Sequence, residues 1–225
     1  MQDITIIYLT ASQIPKTFAE FQRSILLKAI GNTPLISVSR EPLDFGHNIL
    51  DTAPKSTSNI YRAMLEAAKV ATTPYIAIAE DDCLYHKEHF LFHRPAMDTF
   101  AYNQNRFALF TWGKPMYSWR NRKSNSTLIA PRKYLIDALE ERFAKWPNGT
   151  PDNITGEVGR GRVERNMGIS VRNSVEVYSE VSVIQFNHEN GSEERQHNHR
   201  KRMGQIKVYD IYYWRKAEDL VKKYI

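Results

Sequence analysis

One short segment of the chain constrains the fold more than any other. Tyr75 to Ala79 is a continuous apolar run, which is typical of a strand that is buried on both faces of a sheet. Three acids, Glu80, Asp81 and Asp82, follow it without a break. Burying this much charge is unfavourable unless water or a cation meets the carboxylates. The sequence therefore predicts a buried strand that ends at a solvated edge with a cluster of acids.

The segments before this strand alternate between strand and helix patterns. Residues 4–10 and 35–39 are apolar, β-branched runs, and residues 17–31 and 59–71 repeat apolar side chains at helical spacing. This order predicts an α/β fold with a mixed, mainly parallel sheet flanked by helices. Ligands of such sheets bind beyond the carboxyl ends of the strands, so the acids are expected at the mouth of the site.

The remaining chain continues the alternation with less regular patterns. Residues 40–56 have no periodicity and are predicted to be a loop, and residues 87–103 are predicted to be a helix with a kink at Pro95. The further predictions are strands at 106–112 and 126–131, a helix at 131–146, a loop with one short helix at 147–166, and one or two strands at 175–186.

Length and composition exclude several classes of protein. The 225 residues suit a single domain, 1–225, and no stretch approaches the roughly 20 apolar residues of a membrane-spanning helix. Cys83 is the only cysteine, which excludes an internal disulfide and a cysteine-rich zinc site. The N-terminus carries Asp3 where a signal peptide has its basic segment. We therefore expect a cytoplasmic protein, in the host cytoplasm if a phage encodes it.

The net charge of +6 is distributed unevenly along the chain. Residues 1–105 contain 9 Lys and Arg against 11 Asp and Glu, whereas residues 106–225 contain 22 against 14. The excess of basic residues predicts that the second half meets an anionic partner, such as phosphate groups, nucleic acid or a membrane surface. A solvated basic face is the alternative.

Residues 58–82, SNIYRAMLEAAKVATTPYIAIAEDD, resemble nucleotide-sugar glycosyltransferases of the GT-A superfamily, especially the family-2-like members. In that family a helix leads into a strand that delivers a D-x-D-type motif, and Glu80 to Asp82 occupy that place here. The resemblance implies a GT-A (Rossmann-like) fold, a nucleoside diphosphate sugar as donor, and transfer of a sugar to an acceptor hydroxyl. It also implies a donor-binding half at 1–105 and an acceptor-binding half at 106–225, with a C-terminal loop at 187–204.

The resemblance further implies a site for Mn²⁺ or Mg²⁺, the hard cations that carboxylates select. Asp82 is the first expected ligand, Glu80 lies on the same side of an extended chain, and Asp81 points elsewhere, toward the ribose. Glu80 departs from the commoner Asp of the family. His188, directly after a predicted strand, resembles the histidine that completes the metal shell in many members, with His197 and His199 as alternatives. An acidic turn that caps a helix or keeps a strand end wet is the competing interpretation.

Further donor contacts follow from the resemblance alone. They are Thr10 and Ser12 for the base and ribose, Arg40 after the second strand, Asn59 and Arg62 on the next helix, and Arg200, Lys201 and Arg202 over the diphosphate. Arg40 is a departure, because many relatives have an acidic base contact there. Each of these residues has a structural alternative as a helix cap, a surface charge or a solvated basic turn.

An inverting transferase needs a carboxylate that takes a proton from the acceptor hydroxyl. Glu157, in a glycine-rich segment, is the predicted base, and Asp152 is the second candidate. Either residue could instead cap the short helix that follows. A transferase that retains the anomeric configuration would not use this base.

The acceptor is predicted from the basic half. Residues 112–123 interleave Trp112, Tyr117 and Trp119 with four basic residues, a pattern that suits a phosphate backbone and exposed bases. This half is similar to that of phage enzymes that glycosylate hydroxymethylpyrimidines in DNA, so DNA is the favoured acceptor. One alternative is a transferase of lipopolysaccharide or capsule synthesis whose C-terminal segment rests on anionic lipid. Another is a non-catalytic nucleic-acid-binding module.

Overall fold

A computed structural model describes residues 3–54, 56–119, 121–188, 204 and 206–225. The strands are β1 (Ile4–Leu9), β2 (Leu35–Ser39), β3 (His47–Leu50), β4 (Tyr75–Glu80), β5 (Cys83–Leu84), β6 (Thr99–Asn103), β7 (Arg106–Phe110), β8 (Tyr117–Trp119), β9 (Leu128–Pro131), β10 (Asn173–Val177), β11 (Val183–Asn187), β12 (Ile206–Val208), β13 (Asp210–Ile211) and β14 (Arg215–Lys216). The helices are α1 (Lys16–Ile30), α2 (Thr57–Val70), α3 (Lys87–Leu91), α4 (Arg132–Lys145), α5 (Gly161–Met167) and α6 (Ala217–Tyr224), with a 3₁₀ turn at Asn125–Thr127.

The larger sheet has seven strands in the order β10-β6-β9-β4-β1-β2-β3. Only β9 runs antiparallel to its neighbours, and every other pair is parallel. The predicted strands at the N-terminus form its centre, where Ile7 of β1 lies opposite Ile78 of β4. The prediction of an α/β fold with a mixed, mainly parallel sheet is confirmed.

Helices cover both faces of this sheet. On one face α2 and α4 bury Met64, Leu65 and Leu139 against the apolar strands. On the other face α1 and α3 bury Leu26 and Phe90. Because a parallel sheet with both faces covered needs apolar side chains on both sides, its central strands read as continuous apolar runs.

A second sheet has five strands in the order β12-β8-β7-β11-β5. It packs on α1 and α6 through a cluster that includes Phe18, Phe186 and Tyr224. Its edge strand β5 begins three residues after β4 ends at Glu80, so the acids join one sheet to the other.

Two predicted elements were wrong. Residues 87–103 do not form one helix, because α3 ends at Leu91 and residues 99–103 form strand β6. Proline disfavours the helical conformation of the residue before it, and Phe100 and Tyr102 become buried by pairing with strands that are distant in sequence. Residues 40–56 are not only loop, because they contain the edge strand β3. Its short sequence does not alternate between polar and apolar side chains, so the sequence did not indicate a strand.

Other predictions are refined. Residues 126–131 contribute the short antiparallel strand β9, and residues 175–186 belong to two strands, β10 and β11, of different sheets. Strands β9 and β10 come from the basic half of the chain but complete the seven-stranded sheet. The two halves predicted from sequence therefore share one sheet.

Candidate active site

The three residues Glu80 to Asp82, called the acid turn below, lie where β1 and β4 both reach their carboxyl ends. The register places Leu9 opposite Glu80. The Asp81 backbone N–H donates to the Leu9 carbonyl at 3.1 Å, and the Thr10 hydroxyl donates to Asp81 Oδ2 at 2.6 Å. The loop after β1 and the acid turn are thus in direct contact, at the edge where the sequence places them.

Asp81 differs from its two neighbours in its environment. Burial and the adjacent charge of Asp82 raise the pKa of Asp81 to about 7, although the hydrogen bonds from Thr10 and the Ala11 backbone act in the opposite direction. Ser12, in the left-handed region with φ 54°, donates its backbone N–H to the Thr10 hydroxyl at 3.0 Å and so shapes this loop. Asp81 faces the β1 loop, and its absence from the metal ligands stays a prediction.

Buried neutral groups fix the backbone of the acid turn. The Tyr85 hydroxyl accepts a hydrogen bond from the Glu80 N–H and donates to the Ser126 carbonyl, both at 3.0 Å. Gln22 of α1, fully buried, donates from Nε2 to the Cys83 carbonyl at 2.8 Å. The turn is therefore a rigid part of the core and not a mobile surface loop.

Possible metal ligands meet at this turn. Among the described residues, ligand atoms of Glu80, Asp82 and Cys83 lie within 4.8 Å of one another. The Cys83 thiol donates to Asp82 Oδ1 at 3.1 Å, and burial raises the pKa of this thiol well above its usual value. Mg²⁺ and Mn²⁺ prefer oxygen to sulfur ligands, so the donor set for these ions is the two carboxylates. That set fits a hard divalent cation whose other positions are filled by water or phosphate.

The predicted third ligand is placed differently. His188 follows β11 and its ring stacks on Tyr224 with centroids 5.9 Å apart. In the described part of the chain it does not belong to the group of ligands that surrounds the acid turn. Its role as a ligand stays a prediction, and the alternatives His197 and His199 lie outside the described residues.

Two residues that the sequence did not single out approach the acid turn from the second sheet. Arg106, at the start of β7, is buried and donates from Nη1 to Gln185 Oε1 at 2.5 Å. Gln185, on β11, donates from Nε2 to Asp82 Oδ2 at 3.3 Å. The sequence does contain one signal that could have identified Arg106, because a charged residue at the start of an otherwise apolar strand is unusual.

Three polar residues meet at the ends of β2, β3 and α2. The Asp51 carboxylate accepts a hydrogen bond from Asn59 Nδ2 at 2.5 Å and lies 3.6 Å from Arg40 Nη2. Arg40 also donates to the Ala53 carbonyl. Sequence reasoning missed Asp51, which places an acid beside Arg40, where the family resemblance implies one.

Arg62 of α2 contacts α4 and the residue that follows it closely. Its guanidinium lies 4.2 Å above the centre of the Phe143 ring and donates to the Pro147 carbonyl. It thus ties α2 to α4. Arg200, Lys201 and Arg202 lie outside the described residues, and their predicted contact with a diphosphate stays a prediction.

Glu157 is buried in the loop of residues 151–160, which we call the Glu157 loop. Its Oε2 lies 2.7 Å from Arg160 Nη1 and its Oε1 lies 3.6 Å from Arg122 Nη2. The Arg122 carbonyl accepts a hydrogen bond from Arg106 at 3.2 Å, which connects this loop to the acid turn. Asp152 is exposed in the same loop.

The basic and aromatic segment at 112–123 is largely engaged in packing. Tyr117 is buried, and the Trp119 indole donates to the Gln104 carbonyl at 2.9 Å. Exposed aromatic side chains lie instead near the C-terminus, at Tyr209, Tyr212 and Tyr213. No helix in the described part of the chain is both long and apolar enough to cross a membrane.

No protein-family model matches the sequence, and no curated protein matches it. Similar solved structures include the bifunctional IspDF from Campylobacter jejuni, with 9% identity, a TM-score of 0.38, and coverage of 79% of this chain and 50% of that one. A glycosyltransferase involved in glycosylation of the major capsid of PBCV-1 has 13% identity, a TM-score of 0.47, and coverage of 88% and 100%.

The mannosyltransferase PcManGT from Pyrobaculum calidifontis, solved with GDP-Man and Mn²⁺, has 11% identity, a TM-score of 0.43, and coverage of 82% of this chain and 56% of that one. The chain thus spans about half of the length of IspDF and of PcManGT. With TM-scores below 0.5, these similarities carry no argument about function, which depends on the residues of the site.

Proposed function

We propose that this protein is a metal-dependent glycosyltransferase that moves a sugar from a nucleoside diphosphate sugar to an acceptor hydroxyl. The observation that carries the proposal is the acid turn, where Glu80 and Asp82 converge beyond the carboxyl ends of β1 and β4. Parallel sheets bind their ligands at this edge. A purely structural acidic turn leaves the rigid support of these two carboxylates unexplained.

In this proposal Glu80 and Asp82 hold Mn²⁺ or Mg²⁺. The bound ion neutralises the charge that develops on the departing diphosphate. Thr10 and Ser12 line the donor side of the turn, and the cluster of Arg40, Asp51 and Asn59 offers donors and acceptors for a base and ribose. The contact between Thr10 and Asp81 supports this arrangement, since it brings the β1 loop to the metal ligands.

The acceptor hydroxyl must lose a proton as its oxygen bonds to the anomeric carbon and the bond to the diphosphate breaks. We assign this proton to the carboxylate of Glu157, with Asp152 as the second candidate. Because guanidinium groups face both oxygens of Glu157, the acceptor must displace one of them. Arg122 is the group to be displaced, because it is half-exposed and its contact with Glu157 is the longer one.

Hydroxymethylpyrimidine bases in DNA are the proposed acceptor. The exposed residues Lys114, Arg162 and Arg165 of the basic half support contact with a phosphate backbone. A base inside a duplex would have to be extruded to reach the site.

A membrane-borne acceptor of polysaccharide synthesis is the second candidate. The exposed Tyr209, Tyr212 and Tyr213 near Arg215 and Lys216 favour it, because aromatic and basic side chains together suit the surface of an anionic bilayer.

The test is a panel of nucleotide sugars with Mn²⁺, incubated alone, with hydroxymethylated DNA, and with bacterial lipid extract. Donor turnover that needs the metal and is lost in Asp82→Asn supports a transferase. Stimulation by DNA selects the first acceptor, and stimulation by lipid alone selects the second. DNA binding that survives Asp82→Asn, with no turnover of any donor by the unmodified protein, would support a non-catalytic binding module and overturn the proposal.

A further inference from the structure

The second sheet places a positive charge behind the metal ligands. Resting on the function proposed above, we propose that Arg106 is an internal counter-charge of the acid turn and that, through Gln185, it positions the carboxylate of Asp82. The first effect lowers the affinity of the turn for a free cation. The second keeps Asp82 in one orientation for a cation that arrives together with a diphosphate.

The positioning role follows from the chemistry of the Gln185 amide. A guanidinium has only donors, so the amide oxygen must face Arg106 and the amide nitrogen must face away from it. That nitrogen donates to Asp82 Oδ2, while the Cys83 thiol donates to Oδ1. Both oxygens of Asp82 are thereby fixed. Without Arg106 the amide can rotate and present its oxygen to the carboxylate, which is repulsive.

The counter-charge role follows from burial. Arg106 is 5% exposed, and its Nε has no hydrogen-bond partner among the described residues. Burial and the positive charge of Arg122 lower the pKa of Arg106, whereas Cys83, Glu80 and Asp82 act in the opposite direction, so the two acids are among its electrostatic neighbours. An arginine keeps its proton even when buried, so the positive charge is permanent.

The printed hydrogen bonds of Arg106 go to neutral acceptors. Its guanidinium donates to Gln185 Oε1 and to the Arg122 carbonyl, and it reaches Asp82 through the Gln185 amide. At this separation the positive charge reduces the negative potential that a cation meets at Asp82.

The consequence is an order of binding. The positive charge of Arg106 weakens the attraction of the acid turn for a free divalent cation, whereas the same cation bound to a diphosphate brings its own phosphate ligands. The acid turn is thus suited to a complex of metal and nucleotide and not to the free metal.

The test measures Mn²⁺ binding by electron paramagnetic resonance, with and without a nucleoside diphosphate, and needs no turnover. In a Gln185→Leu background, where Asp82 is already released, we expect the further change Arg106→Gln to make free Mn²⁺ bind about tenfold more tightly than in Gln185→Leu alone, because one positive charge near a divalent ion is removed. Gln185→Leu keeps that charge but releases Asp82, and we expect it to bind Mn²⁺ several-fold more weakly with and without nucleotide. Arg106→Lys keeps the charge and should match the unmodified protein for free Mn²⁺.

Circular dichroism and thermal melting check that each variant folds, and Arg106→Met repeats the test with an apolar chain of similar length if Arg106→Gln does not. A folded charge-removing variant whose affinity for free Mn²⁺ is the same as or weaker than that of Gln185→Leu alone overturns the counter-charge role, since mere structural damage also weakens binding. Unchanged binding in Gln185→Leu overturns the positioning role. Absence of Mn²⁺ binding by the unmodified protein, even with nucleotide, overturns instead the metal site on which the proposed function depends.

Discussion

The acid turn and the Glu157 loop are linked through Arg106 and Arg122, but their carboxylates are supported in opposite ways. The backbone of the acid turn is held by neutral groups, Tyr85 and Gln22, and Asp82 accepts hydrogen bonds from the neutral groups of Cys83 and Gln185. Glu157 is instead paired with two arginines. A cation from solution can therefore meet the charge of Asp82, whereas Glu157 already has its own counter-charges.

The largest expected effect tests the cation site directly. Asp82→Asn keeps the size of the side chain but removes a charged ligand, so we expect donor turnover to fall about a thousandfold. Asp81→Asn is the matched control, because its amide oxygen still accepts from Thr10 and it lies outside the ligand set. It should lose no more than about tenfold. Equal losses in the two variants would contradict the division of roles within the turn.

The support behind the acid turn predicts a dependence of stability on pH. His89 packs beside Tyr85 and is fully buried, which lowers its pKa to about 3. The unfolded chain takes up this proton near pH 6.5 and the folded protein does not, so the contribution of His89 to stability falls as the pH decreases from about 6.5 towards 3. We expect this contribution to fall by about 3 kcal/mol between pH 7 and pH 4, at about 1.4 kcal/mol per pH unit. Asp81, whose pKa burial raises to about 7, acts in the opposite direction, so the comparison of variants isolates the effect of His89.

Urea unfolding at a series of pH values measures this loss. His89→Gln should be less destabilised by acid than the unmodified protein by about this amount, and His47→Gln, at an exposed position, should leave the profile nearly unchanged. A profile that is the same with and without His89 would assign the acid sensitivity to other groups.

Glu157→Gln tests whether the carboxylate that is paired with two arginines also acts as the catalytic base. If the group takes the acceptor proton, kcat should fall about a hundredfold while Mn²⁺ binding at the acid turn stays the same. Asp152→Asn is the comparison that decides between the two candidates. A Glu157→Gln variant with normal kcat but lower thermal stability would restrict this residue to holding Arg122 and Arg160.

The smallest expected effect concerns the scaffold of the acid turn. Tyr85→Phe removes one hydroxyl that serves both Glu80 and Ser126, and we expect a loss of about 1 to 2 kcal/mol in the free energy of unfolding. Tyr134→Phe removes a single, less buried contact to the Asn173 N–H and should cost less than about 0.5 kcal/mol. Denaturant titration of both variants measures the difference.

Local patterns were sufficient for the elements that carry the acid turn. The apolar runs of β1 and β4 and the periodicity of α1, α2 and α4 are properties of adjacent residues, and three acids after a buried strand mark the edge. Thr10 reaches Asp81 because the parallel strands β1 and β4 end at one edge, although the contact itself was not predicted.

What the sequence did not predict depends on contacts between distant residues. Gln185 meets Asp82 across 103 positions, and no local pattern indicates that pairing. Strand β6 reads as a helix until its pairing with β9 and β10 buries it. Asp51 follows the edge strand β3, whose polar sequence does not indicate a strand. The hydrogen bond between Asn59 and Asp51 was therefore not predicted either.

The passage of the chain from one sheet to the other at the acid turn has a mechanical consequence. Glu80 is the last residue of β4 in the larger sheet, and Asp82 directly precedes β5 in the smaller one. An ion shared by these two side chains would cross-link the sheets at a point where only two residues of the chain separate their strands. Occupancy of the site should therefore slow amide hydrogen exchange in β5 and β11 together with β4. A ligand that binds more tightly should also stabilise the packing of the two sheets more strongly.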